Sequence, residues 1–93
     1  MSKIVEYEVN TVKDYKVMPG FWINVKTNLQ IGESDSVVAP KLNHDLCVIK
    51  PLGVLATKVD EDGCVNILVR NEGKMELDLL TSEVLGTVLV LVN

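Results

Sequence analysis

A glycine-rich phosphate loop is absent from this sequence. Neither GxGxxG nor GxxxxGK[ST] occurs, which excludes the common nucleotide cradles. Histidine occurs once, at His44, and the two cysteines, Cys47 and Cys64, stand in β-like runs without CxxC or Cys/His spacing. A zinc site needs several such ligands at close spacing, and a nucleophile needs a base and an orienting partner that no local motif offers. His44 in Asn43-His44-Asp45 therefore reads as a loop histidine. The cysteines read as reduced, partly buried thiols, with a disulfide as the alternative. No catalytic, metal-binding or cofactor-binding residue is assigned, and no cofactor is expected.

Positive charge is equally sparse. The formal net charge is −4 and no cluster of Lys and Arg occurs, so the electrostatic footprint required by nucleic acid or an anionic membrane is missing. No apolar stretch approaches the roughly 18 residues that span a bilayer. The opening MSKIVEYEV alternates charge with hydrophobicity and does not read as a signal peptide. An intracellular setting is expected. Aromatic residues make up only 4% of the chain, so Val, Leu and Ile must build the interior.

What the chain does contain is apolar residues at 47%, charged residues at 24%, and a pervasive period of two. The length fits one domain, 1–93, with a modest core. Val5, Tyr7 and Val9 alternate with Glu6 and Glu8, and Phe21, Ile23, Val25 and Thr27 alternate with Trp22, Asn24 and Lys26. Both patterns predict half-buried strands, the second entered through the turn signal Pro19-Gly20. Val37-Val38 and Leu46 to Ile49 read as short strands, the latter stopped by Pro51. No helix is expected beyond one turn at 81–84.

Residues 60–73, DEDGCVNILVRNEG, set the main question, because four acids and two glycines bracket one apolar run. Three adjacent acids do not make an EF-hand, whose ligands spread over about twelve residues. Register explains the glycines instead. Like faces must oppose across a hairpin, and a three-residue loop Glu61-Asp62-Gly63 opposes Val59 to Val65, Thr57 to Ile67 and Leu55 to Val69. A second loop, Asn71-Glu72-Gly73, opposes Val69 to Met75, Ile67 to Leu77 and Val65 to Leu79. Each ends in glycine, as a type I turn with a G1 bulge requires. The expectation is a three-stranded meander over 54–80. The last segment, Val84 to Val92, is apolar at nearly every position. It is either a central strand or buried at a subunit contact, and Gly86 inside it signals a bulge or close backbone approach. Val84, Leu85, Val88, Leu89, Val90, Leu91 and Val92 are the candidate interface, and Trp22, on the polar face of its strand, reads either as an interface anchor or as packed under a loop.

These signals together resemble a known family. Pro19 to Asn28, Val37-Val38-Ala39-Pro40, Leu55-Ala56, Val59 to Asn71 and Leu77 to Leu89 are similar to the dUTPase-like segment of gypsy-type retroelement and retroviral polyproteins. The resemblance implies an all-β fold, a dUTPase-like β-clip or barrel-like sandwich of short antiparallel strands. It also favours a homo-oligomer, in particular a trimer, and a setting in the cytoplasm or in a virus-like particle. It does not carry the enzyme with it. The Ala-Gly-x-Asp, Arg-Ser-Ser and Gly-x-x-Asp-x-x-Tyr motifs of dUTPases are missing, and Ser82-Glu83-Val84 stands where their Gly-Asp-Arg corner would be. The reading that follows is a non-enzymatic assembly or protein–protein contact module. The alternatives are a dUTP-like nucleotide-binding or hydrolysing relative using Glu33 to Ser36 and Asp60 to Asp62, and a small viral coat or decoration protein.

Overall fold

The alternation along the chain becomes eight strands in a computed structural model, which describes residues 2–93. In chain order they are β1 (Lys3–Asn10), β2 (Tyr15–Val17), β3 (Trp22–Gln30), β4 (Ser36–Leu42), β5 (Leu52–Val59), β6 (Cys64–Asn71), β7 (Leu77–Leu79) and β8 (Val84–Val92). One short helix, α1 (His44–Ile49), joins β4 to β5. All pairings are antiparallel: one sheet in the order β1-β8-β4, another in the order β3-β6-β5, and a ribbon β2-β7. The protein is all-β.

Between the two sheets lies one core. β8 contributes Leu85, Val88 and Val90, β1 contributes Val9, and the opposing sheet contributes Val25, Leu29, Val65, Ile67 and Val69. Leu52 of β5 and Tyr15, Val17 and Leu79 of the ribbon complete it. Each fully buried Val, Leu or Ile of this kind stabilises by about 1.5–3 kcal/mol. Tyr15 enters the core with its hydroxyl satisfied, accepting from the Lys26 N–H at 2.8 Å. β1 packs beside β3 and β4 beside β5, so the two sheets stack as a sandwich whose edges lie close on both sides. At one seam Thr27, midway along β3, leaves β6 to bridge Thr11 beyond β1, and its hydroxyl donates to Val65 O at 2.7 Å.

The expected hairpin at 59–65 forms, with Val59 opposite Val65, Lys58 opposite Asn66 and Thr57 opposite Ile67. Gly63 has φ 80° and donates to Asp60 O at 3.0 Å, while Asp60 N–H donates to Cys64 O at 3.0 Å. That is the G1-bulge turn the glycine requires. Further along the register departs from expectation. A bulge between Val54 and Ala56 makes Val54, not Leu55, the partner of Val69, and leaves Leu55 exposed.

The second half of the expected meander does not form. β6 takes β3 as its other neighbour, with Ile23 opposite Val69 and Val25 opposite Ile67. β7 pairs instead with β2, Leu79 facing Tyr15 and Leu77 facing Val17. Met75, expected against Val69, is 78% exposed. The rule that like faces oppose is obeyed by both pairings, so length decides: β3, nine residues long, pairs six of them with β6, and β7 is only three residues long. The Asn71-Glu72-Gly73 segment is held differently. The buried Asn71 side chain donates to Val17 O and Met75 O, and Gly73 N–H donates to its Oδ1 at 2.9 Å, an Asx turn.

Residues 46–49 are helical rather than extended. Asn43 caps α1, its Oδ1 accepting from Asp45 N–H at 3.0 Å, and Lys50 N–H closes the last turn on Leu46 O at 2.7 Å. The polar Asn-His-Asp stretch is thus a cap and first turn, and His44 sits in the helix rather than in a loop. β4 is also longer than the Val37-Val38 pair, running through Pro40 to Leu42.

Candidate interaction surface on the outer sheet

β8 is central, hydrogen-bonded to β1 on one side and β4 on the other. This fulfils the first of the two roles open to it on sequence, and it sorts the candidate interface residues. Leu85, Val88 and Val90 are fully buried, and Val92 packs partly buried against the same core, so these four serve the chain's own interior. Their partners on β1 are Tyr7 for Val88 and Val5 for Val90. Gly86 explains both signals it carried. A bulge adjoins it on β8, where Leu85 is the extra residue between the Val9–Gly86 and Asn10–Val84 pairs, and a Cβ at Gly86 would stand 2.0 Å from Lys41 O.

Leu89 and Leu91 point the other way. They are half-buried but lie outside the core cluster, on the outer face of the sheet. Directly opposed residues share a face, so three rows can be read across it. They are Glu8–Thr87–Lys41, Glu6–Leu89–Ala39 and Ile4–Leu91–Ser36. Ile4 is 60% exposed, and Val38, the extra residue of a bulge between Val37 and Ala39, is also exposed. Val84, at the start of β8, is 38% exposed. An open groove of about 300 Å³ runs along the charged end, lined by Glu6, Glu8, Lys41, His44, Val84 and Thr87 among others.

Trp22 is 60% exposed and opposes Arg70 on the outer face of the other sheet. Phe21, expected to face inward with Ile23 and Val25, is exposed as well, because it lies before the first paired residue of β3 in the turn where its N–H donates to Met18 O. Val48 and Ile49 on α1 are exposed too, and no residue of that helix is buried. Sequence alternation did not mark these two, since the helix was not expected.

The two acidic segments meet in space. Glu33, Asp35, Asp60 and Glu61 line one shallow cleft of about 260 Å³, with Ile31 N–H donating to Gly63 O at its base. The carboxylates of Asp35 and Asp60 are engaged in holding turns. Asp35 accepts from Gly32 N–H at 3.0 Å. Asp60 accepts from Asp62 and Cys64 N–H through one oxygen and from Asn66 Nδ2 through the other, each at 2.9–3.0 Å. The Asn66 hydrogen bond first, then those from Cys64 and Asp62 and the Lys26 charge, hold the Asp60 carboxyl below its ordinary value, against the opposing effect of burial. Among the described residues, no group of three or more His, Cys, Asp or Glu side chains is arranged to hold a metal ion. Cys47 and Cys64 are both free.

No protein-family model matches the chain, and no curated protein matches it either. Among the described residues, no helix is long and apolar enough to cross a membrane.

Proposed function

We propose that this chain is a non-enzymatic β module whose work is assembly or protein–protein contact, of the kind found in the dUTPase-like segments of retroelement polyproteins. Its partner is a further copy of itself or another protein, and its setting is the cytoplasm or a virus-like particle. A single observation carries this reading: the central strand β8 spends one row of leucines, Leu89 and Leu91, on the outer face of its sheet. An outward apolar row at the middle of a sheet is covered most readily by another protein surface. The resemblance adds the expectation of a trimer. Size exclusion coupled to light scattering tests the proposal. The expected result is a mass above the 10.3 kDa of one chain that rises with concentration. A single-chain mass up to about 1 mM, where even weak contacts populate, would count against self-assembly.

A second reading is favoured by the acidic cleft, which brings together the two loops that a magnesium–nucleotide site would use. Thermal melting with dUTP and Mg²⁺ separates the two, since a ligand bound only by the folded chain raises Tm. The assembly reading expects no shift.

A further inference from the structure

The outer face of β1-β8-β4 carries a charge pattern as well as an apolar row. Glu6 and Glu8 lie on β1 at one side, Lys41 on β4 at the other, and Leu89 and Leu91 run between them on β8. Among the described residues none of these three charges is in an ion pair; the pairs are Lys16–Glu76, Lys26 with Asp60 and Asp62, and Lys50–Glu83. Within one chain Glu8 and Lys41 flank Thr87 two strand spacings apart, about 10 Å, and do not pair with each other.

Two copies of the face fit together in one orientation better than in the other. A two-fold axis parallel to β8 sets β1 of one copy over β4 of the next, keeping each row at its own height. Glu8 then opposes the second copy's Lys41, twice by symmetry. Leu89 opposes Leu89 and Leu91 opposes Leu91. An axis across the strands sets β1 on β1 and brings Glu6 onto its own equivalent, a repulsive contact. We infer that the outer face of β1-β8-β4 is an isologous contact with a second copy of this chain, its two-fold axis parallel to β8, with Glu8 and Lys41 pairing between copies.

The inference rests on the assembly reading and names its partner and geometry. A face three strands wide is small beside the about 800 Å² per partner of a standard interface. The association is therefore weak, concentration-dependent and reduced by salt, which screens the exposed pairs.

The test uses two exposed substitutions, Glu8→Lys and Lys41→Glu, with far-UV circular dichroism as the check on fold and sedimentation velocity as the readout. Each alone places like charges opposite each other twice, and each is expected to weaken the dimer at least tenfold. Mixing the two variants in equal amounts makes both pairs attractive again, so the heterodimer is expected at the wild-type level and to weaken with added salt. Failure of the mixture to associate when each variant is folded overturns the proposed axis. Wild-type association that neither variant changes overturns this contact and leaves assembly through another surface, a trimer included. A monomeric wild type at all concentrations overturns both this contact and self-assembly, and leaves the face to a different protein.

Discussion

Ser82 has φ 66°, the one non-glycine residue with a positive φ among the described residues. It sits in the turn where Glu83 N–H donates to Leu80 O, and its own N–H donates to Thr11 O, both at 3.0 Å. The Thr11 hydroxyl fixes the corner further, donating to Leu80 O and accepting from Glu83 N–H. The corner is thus bonded firmly enough to keep a side chain in left-handed backbone. Ser82→Gly is expected to raise stability by about 0.5–1 kcal/mol, the relief of strain exceeding the added freedom of the unfolded chain. Urea denaturation measures it as a higher midpoint at unchanged slope. Asp60 supplies a prediction in pH. Its folded pKa lies below its ordinary 3.8, so its contribution is complete above that value and is lost as pH falls through the lower, folded one. Asp14, held down by the Thr81 N–H and then its hydroxyl, behaves alike. Acidification from about pH 5 to about pH 2 is expected to lower the urea midpoint, and Asp60→Asn to lose less over that interval than the native chain. An equal loss in both would remove Asp60 from the acid limb.

At the scale of elements, β8 depends on Gly86. Lys41 O, Asn43 N and Leu42 Cα all stand within 3 Å of where a Cβ would be, and each is backbone. Gly86→Ala must push β4 away from β8. A cost of about 3 kcal/mol is expected, seen as a fall in Tm of roughly 10–20 °C. How well the sequence foretold each element depended on how local its determinants are. β1, β3 and the hairpin at Gly63 follow from alternation and turn chemistry confined to a few neighbouring residues. The partner of β6 is decided by which distant strand offers more, and a register rule applied to adjacent segments cannot see β3. α1 is hidden in the sequence for a different reason: Leu46-Cys47-Val48-Ile49 has strand-like composition, and the helix shows only in its Asn43 cap. In β8 the run VLGTVLVLV has no alternation of its own, so it does not tell which of its rows faces inward. The deciding pattern lies on β1, where Val5, Tyr7 and Val9 face the core side and Glu6 and Glu8 the outside, and it reaches β8 only through a long-range pairing.

The whole molecule gives the two rows of β8 different surroundings, and the difference can be read by experiment. One row of its side chains packs the two sheets together, while the alternate row lies outside the core. A charge in the inward row should therefore destroy the fold, whereas the same charge in the outward row should spare it. Val90→Asp places a carboxylate among fully buried Val and Leu residues with no partner, and loss of cooperative unfolding is expected. Leu91→Asp lies one residue away, in the row with Ile4 and Ser36, and is expected to keep a cooperative transition with a Tm within several degrees of the native chain. If the outer face is a contact between copies, Leu91→Asp also leaves a single-chain mass at concentrations where the native chain associates. Thermal melts followed by light scattering measure both properties on one sample series. A folded Val90→Asp would place β8 differently from the central strand described above. A Leu91→Asp variant that folds and still associates would move the contact off this face, to the exposed groups around Trp22 or α1.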